Sequence, residues 1–313
     1  MGAGACGLMA VTALCAAPGP THAEGSVIRD DLGRDIAFSR SPQRVITLLP
    51  SATETVCALG ACDRLVATDR YSGWPAQVRT LPKTGGLVDP AIELIVGLRP
   101  DLVLASRSQR SLDRLRELGV PVFALNSDRY ADIGRTLRTV GRILGLPARA
   151  EELARSIDGD VRRIGGEEAA RLRSDSPGGG AASAPPSVYF EVDRGPYAAG
   201  PLSFIGELLG FLGARNIVTP DLGAFPQLNP EYVVRHNPDV IFISAAEGSH
   251  LAQRPGWDTI RAVREGRLCS FAADTIDTIV RPGPRVAEGM RALAECLDRQ
   301  APRAAGVQAA GAT

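Results

Sequence analysis

Two carboxylates stand out by position rather than by type. Residues 93–106, ELIVGLRPDLVLAS, recur without a gap as residues 231–244, EYVVRHNPDVIFIS, so Glu93 and Glu231 open two copies of one pattern. Each copy follows a capping residue and a proline, Asp89-Pro90 and Asn229-Pro230, and reads as helix, Pro-Asp turn and strand. In parallel α/β layers, helix N-termini and strand C-termini share one edge, so each Glu belongs to that edge of its unit. If the two units face each other, the carboxylates lie on the rim of a cleft between them. On these grounds two roles stay open: complementing a helix dipole, worth ~0.3–1 kcal/mol, or presenting a fixed negative point on the rim.

A second set of residues suits a large, flat ligand. Tyr71 and Trp74 in YSGWP, Tyr197, and Phe225 in GAFPQ all follow strand or turn signals, where ligand loops belong. Each aromatic face can bury ~150–250 Å² and stack on a ring; the alternative for each is a place in the core. Arg281 and Arg285, in RPGPR, are expected to open the last helix, where a cation is unfavourable. An anionic group of a ligand would offset that, as would a salt bridge to Asp274 or Asp277. His250 follows the strand pattern 240–244 and is either a metal ligand or a solvated loop residue, whereas His236 complements a helix C-terminus.

Enzymatic chemistry finds no foothold in local motifs. The chain has no GxSxG, P-loop, strand-linked GxGxxG or HExxH, which excludes the motif-borne forms of nucleophilic hydrolysis and nucleotide chemistry. What remains of that class is a periplasmic reductase or hydrolase using scattered cleft carboxylates. A signalling module that carries a chelate is a third class. With 35 Lys plus Arg against 35 Asp plus Glu in 313 residues, the net charge is zero, so neither nucleic acid nor anionic lipid is an expected partner. No apolar run reaches the ~18–20 residues of a membrane span. Lys83 is the sole lysine.

Residues 1–23 carry no Asp, Glu, Lys or Arg, include the apolar run 7–17 and close on Thr21-His22-Ala23, the pattern of a secretory signal. A lipid anchor on Cys15 is the alternative, although Leu14 is larger than such a site tolerates. The expected location is therefore the periplasm, an oxidising compartment that would hold Cys57, Cys62, Cys269 and Cys296. There is no CxxC and no Cys/His zinc spacing. Cys269 and Cys296 are the candidate disulfide, and Cys57 and Cys62 flank Gly60 as expected buried thiols.

The elements that must position these residues alternate. Residues 27–38 read as a hairpin. The β-rich run 44–49 leads into Pro50 and then Ser51-Ala52-Thr53-Glu54, a capping box for a helix that Gly60 stops. Strand patterns at 65–68, 102–105 and 120–125, and again at 188–192, 240–244 and 268–271, alternate with helical ones, the signature of parallel α/β layers. Between the halves, residues 132–144 are helical, Gly145-Leu146-Pro147 breaks them, and a second helix of ~26 residues, roughly 39 Å, follows. Two doubly wound α/β lobes joined by one long interlobe helix result, with the ligand cleft between them. The expected layout is an N-terminal lobe over 24–131, the interlobe helical tract over 132–173, a flexible Gly/Ser/Pro loop over 174–187, a C-terminal lobe over 188–300 and a disordered tail over 301–313.

The segments RVITLLPSATETVCALG, RYSGWPAQ, DPAIELIVGLRPDLVLAS, NPEYVVRHNPDVIFIS and RPGPRVAEGMRALAECL resemble the periplasmic substrate-binding proteins of ABC importers for vitamin B12, iron-siderophores and haem. The likeness runs over residues 44–297 and is greatest to the vitamin B12-binding members. It implies a monomer whose two lobes close only slightly around a metal chelate and hand it to a permease and its ATPase. It implies no resident cofactor and no catalysis. Glu93 and Glu231 match the acidic positions that pair with permease arginines, and Tyr71, Trp74 and Phe225 match ligand loops. A pocket tryptophan of the B12-binding members falls near Gly86 here. The implied ligands are a corrinoid first, a ferric siderophore second and haem third.

Overall fold

A computed structural model describes residues 26–174, 184–193 and 196–301. The expected signal at 1–23, most of the Gly/Ser/Pro loop and the tail from 302 onward lie outside those residues. In the first lobe the chain forms β1 (Ser26–Arg29), β2 (Asp35–Phe38), β3 (Val45–Thr47), α1 (Pro50–Ala58), β4 (Leu65–Thr68), α2 (Ile92–Gly97), β5 (Leu102–Ser106), α3 (Leu112–Glu117) and β6 (Val122–Leu125). β1 and β2 make the expected antiparallel hairpin, and the main sheet is parallel in the order β4-β3-β5-β6. Two helices follow, α4 (Tyr130–Ile143) and α5 (Pro147–Ser174).

The second lobe contains β7 (Ser187–Asp193), β8 (Tyr197–Ala198), α6 (Phe204–Phe211), β9 (Arg215–Asn216), α7 (Pro230–His236), β10 (Val240–Ser244), α8 (Ala245–Gly248), α9 (Arg261–Arg264), β11 (Leu268–Phe271), α10 (Ala273–Val280) and α11 (Val286–Gln300). Its sheet runs β11-β10-β7-β8, with β9 also on β7. β8 is antiparallel to β7 and the other pairings are parallel.

Alternation along the central strands builds a core on each face of each sheet. In β5, Leu102 and Leu104 face α1 and α4, while Val103 and Ala105 face α2 and α3. In β10, Val240 and Phe242 join the core under α5, α6 and α11, while Ile241 and Ile243 join Trp257 on the other side. α4 and α5 serve both lobes: Val140, Ile143 and Ala150 belong to the first core, and Ile133, Leu137, Ile157 and Val161 to the second. α5 is the expected long helix, 28 residues, and α4 runs back alongside it. They touch closely at Gly141, where an added Cβ would stand 2.3 Å from Ala150 Cβ.

The repeat is structural as well as sequential. The Pro-Asp aspartates play matching parts: Asp101 accepts from the Gln43 and Arg44 amides at 2.8 and 2.7 Å, and Asp239 from the Ser187 amide and hydroxyl at 2.9 and 2.6 Å. Each thus ties its own strand to the start of the neighbouring one. Burial works to raise the Asp239 pKa, but its Ser187 and Arg261 bonds outweigh burial and hold it below the usual carboxylate range. Among the described residues, the only non-glycines with left-handed backbone are Arg99 and Asn237, which occupy the same register.

Three expectations are corrected. Pro50, preorganised for the first helical position, starts α1 one residue before Ser51, so the Ser51–Glu54 capping box does not form. Pro90 does not open α2, which begins at Ile92, because Asp89 bonds the Gly86 amide and pairs with Arg70 in a turn. Asn229 does cap α7, accepting from the Glu231 amide at 2.9 Å. Cys57 and Cys62 are a disulfide rather than thiols, because Gly60 turns the chain and leaves their Cα atoms 4.1 Å apart. A second disulfide joins Cys269 in β11 to Cys296 in α11, with Cα atoms 5.8 Å apart.

Candidate functional site: the interlobe cleft

The loop that leaves β4 is held from below by buried polar groups. Asp69 accepts from the Tyr71 amide at 2.8 Å and from the Ser72 hydroxyl. That hydroxyl continues a chain through Thr53 at 2.7 Å to Thr47 at 2.6 Å. Lys83, the sole lysine, donates to the Ser72 carbonyl, the Thr68 hydroxyl and the Val78 carbonyl at 2.7, 2.8 and 3.2 Å. Burial raises the Asp69 pKa despite its hydrogen bonds, and burial lowers that of Lys83 despite the nearby carboxylate.

This footing leaves two aromatic side chains outside. Tyr71 is 61% exposed and Trp74 is 38% exposed. The Tyr71 ring covers Gly86, its edge 3.4 Å from where a Cβ there would sit. The Trp74–Pro75 peptide is cis. On the second lobe, Tyr197 in β8 and Phe225 in the loop before α7 are also exposed. Their segments are stitched together: Tyr197 bridges Gln227, and the Ala198 amide donates to the Pro226 carbonyl at 2.9 Å. The structure therefore groups Tyr71 with Trp74 on one lobe, and Tyr197 with Phe225 on the other.

The two lobes meet beside Trp74. Glu54, on α1 and 1% exposed, accepts two hydrogen bonds from Arg285, at 2.9 Å from Nε and 2.6 Å from a terminal nitrogen, and one from Arg281 at 3.2 Å. The Arg285 guanidinium also donates to the Thr278 hydroxyl at 2.7 Å and stands 4.6 Å from the Trp74 ring centroid. Burial acts to lower the Arg285 pKa, but the Glu54 bonds and charge prevail and raise it. A methyl group built on Gly283 would sit 3.5 Å from Ser51, so the RPGPR segment rests directly on α1.

Arg281, expected to receive an anionic group of a ligand, is committed to protein groups. It pairs with Glu54 and Asp277 and donates to the Tyr71 carbonyl at 3.1 Å. It also follows the end of α10 rather than opening the last helix. Asp277, not Asp274, is the nearby acid that it uses. Sequence reasoning misses Glu54 because the expected capping box already gives it a role. The available signal was the pair of arginines in RPGPR, whose charge requires a partner.

Glu93 and Glu231 each occupy the second position of their helices, exposed and without an ion-pair partner among the described residues. His236 bonds the Tyr232 carbonyl at 2.8 Å and stacks on that ring. His250 is exposed beside Trp257 and Arg254. Among the described residues no group of three or more His, Cys, Asp or Glu is placed to hold a metal ion, and no helix is long and apolar enough to cross a membrane.

Comparisons with known proteins place this architecture. The chain is 29% identical over 279 residues to an uncharacterized ABC transporter substrate-binding lipoprotein of Bacillus subtilis, covering 86% of this chain and 84% of the relative. It is 30% identical over 273 residues to a cobalamin-binding protein of Halobacterium salinarum, covering 84% and 71%. Among solved structures, a periplasmic heme-binding protein of Pseudomonas aeruginosa matches with a TM-score of 0.71 at 25% identity, over 84% of this chain and 95% of that one. The sequence model of one family fits residues 45–275, which run from β3 into the start of α10 and so include both repeats: the chain belongs to the periplasmic binding protein family.

Proposed function

We propose that this protein captures a metal chelate between its lobes and delivers it unchanged to an ABC permease at the inner membrane, with a corrinoid as first-choice ligand. The observation that carries this reading is that Tyr71 and Trp74, exposed on one lobe, stand at the Glu54–Arg285 contact between the lobes, while the other lobe exposes Tyr197 and Phe225 on adjoining segments. Flat macrocycles bury apolar area against such faces. The cobalamin-binding relative supports the corrinoid. The compartment is the periplasm, reached through the signal at 1–23, with a lipid anchor on Cys15 as the alternative.

One feature favours a second ligand of the same class. Where B12-binding members carry a tryptophan, Gly86 lies beneath the exposed Tyr71 ring. A phenol oxygen is a suitable axial ligand for ferric haem iron, which supports haem. The test is to incubate the protein separately with cyanocobalamin, haemin and a ferric hydroxamate, remove free ligand, and record the visible spectrum. A corrinoid that co-elutes at one per chain and is recovered unchanged supports the first reading; chemical conversion of the bound compound would show an enzyme.

Docking rests on Glu93 and Glu231. Two exposed acids at equal register on two lobes suit two basic clusters on a membrane partner, adding orientation and steering more than affinity. Such rim contacts weaken as ionic strength rises. The double variant Glu93→Arg with Glu231→Arg should keep ligand affinity and lose permease-stimulated ATP hydrolysis. Normal transport by that variant would reduce both carboxylates to helix-end residues.

A further inference from the structure

We infer that Glu54 is a positioning residue for the ligand face: acting through Arg285 of the opposite lobe, it sets the orientation of the Trp74 ring. The inference rests on the reading that Trp74 touches the ligand, but its physical basis is independent of that. A carboxylate that grips a guanidinium by two parallel bonds fixes the plane of the guanidinium as well as its place. Glu54 holds Arg285 in this way, at 2.9 and 2.6 Å, and Thr278 holds a third nitrogen at 2.7 Å. With its plane set, the cation 4.6 Å from the Trp74 centroid favours one placement of the indole.

The same carboxylate reaches the loop a second time. Arg281, paired with Glu54 at 3.2 Å, donates to the Tyr71 carbonyl at 3.1 Å, so both aromatic residues of the loop are tied to one buried acid. The route is indirect in the chain: Glu54 and Trp74 are both in the first lobe, yet the groups linking them arrive from beyond residue 280. Orientation of the first lobe's aromatic face thus depends on the second lobe being seated. Within this cluster, Asp277 also pairs with Arg281, so two acids face two arginines.

Trp74 and Trp257 are the only tryptophans, and Trp257 is fully buried. Acrylamide quenching of the ligand-free protein therefore reads Trp74 alone. Glu54→Gln keeps the side-chain shape but removes the charge, and Arg285→Lys keeps a partner for Glu54 while losing the planar fork. Both variants should quench more readily than wild type, with far-ultraviolet circular dichroism unchanged. Binding of cyanocobalamin, or of haemin if that is the compound retained, should weaken about tenfold in each. In a Trp74→Leu background, Glu54→Gln should cost clearly less affinity than it does in wild type, a coupling that a purely structural role would not produce.

Additive losses from Glu54→Gln and Trp74→Leu would overturn the inference, as would quenching identical to wild type in a folded Arg285→Lys protein. If Trp74→Leu alone leaves affinity intact while quenching responds to Glu54→Gln, the ligand role of Trp74 fails and the orientation of its ring by Glu54 stands.

Discussion

Each lobe contributes to a glutamate–arginine–tryptophan stack, and the two stacks have different surroundings. In the second lobe, Glu191 accepts two bonds from Arg254 at 2.7 Å each, and the guanidinium lies 4.6 Å from the Trp257 ring centroid. The first stack repeats this with Glu54, Arg285 and Trp74, at the same 4.6 Å. Trp257 is enclosed, edge-on to Tyr189 and surrounded by Ile241, Ile243 and Ile260. Trp74 leaves part of its ring in solvent, and its arginine comes from the other lobe. The contact chemistry is therefore not what makes a ligand face. Enclosure turns the unit into core, whereas a loop that leaves the ring part-exposed turns it into a surface that a ligand can cover.

The sharpest way to break this comparison is truncation of each indole. Trp257→Ala should cost ~3–5 kcal/mol, the size of a large-to-small change in a packed core, and lower the melting temperature by roughly 10 °C. Trp74→Ala should change the melting temperature of the ligand-free protein little and weaken ligand binding by ~1–3 kcal/mol. Equal melting temperatures for the two variants would show that Trp74 is also core, and calorimetric unfolding of both without ligand decides the matter.

A smaller effect separates the stacks by pH. The second stack includes a phenol: the Tyr189 hydroxyl donates to Glu191 at 3.0 Å, and burial, then the charge of Glu191, push its pKa well above the usual tyrosine value. A pKa raised in the folded state contributes stability that is fully present below the unfolded value, about 10, and is lost as pH rises beyond it. Tyr130 is raised in the same direction by burial and Asp158, so the comparison must be made by difference. Between pH 9 and 11, wild type should lose more stability than Tyr189→Phe, measured by urea unfolding. Identical losses would mean that the phenol does not titrate against Glu191.

Local pattern carried much of this. The break at Gly145-Leu146-Pro147 marks the turn between α4 and α5, and the strand patterns at 240–244 and 268–271 match β10 and β11 residue for residue. What stayed hidden lacked local periodicity or a nearby partner. β8 and β9 are two residues each, too short for alternation to register. Glu54 finds Arg285 at a sequence separation of 231, and nothing within its own helix distinguishes it from a capping acid. The exposure of Tyr71 and Trp74 depends on Asp69, Ser72 and Lys83 beneath them, a network spread over two loops.

The smallest expected effect comes from the place where the lobes agree most closely. Arg99 and Asn237 both adopt left-handed backbone, at φ 47° and 42°, immediately before their Pro-Asp turns. Asparagine tolerates that region because its short polar side chain bonds locally, whereas arginine pays a Cβ penalty. In the second lobe the side-chain oxygen of Asn237 accepts from the Arg261 amide at 2.7 Å. In the first lobe the turn is held through main-chain atoms instead: the Arg44 guanidinium donates to the Leu98 and Arg99 carbonyls at 2.7 and 3.3 Å. Replacing the Arg99 side chain leaves those bonds intact, and the side chain is exposed. Arg99→Asn should therefore relieve backbone strain without removing a contact and stabilise the protein by ~0.5–1 kcal/mol, while Asn237→Arg should destabilise it by more, since the bond to Arg261 is lost as well. Calorimetry on both variants tests the pair; destabilisation by Arg99→Asn would mean that the arginine side chain makes a contribution its exposed position does not reveal.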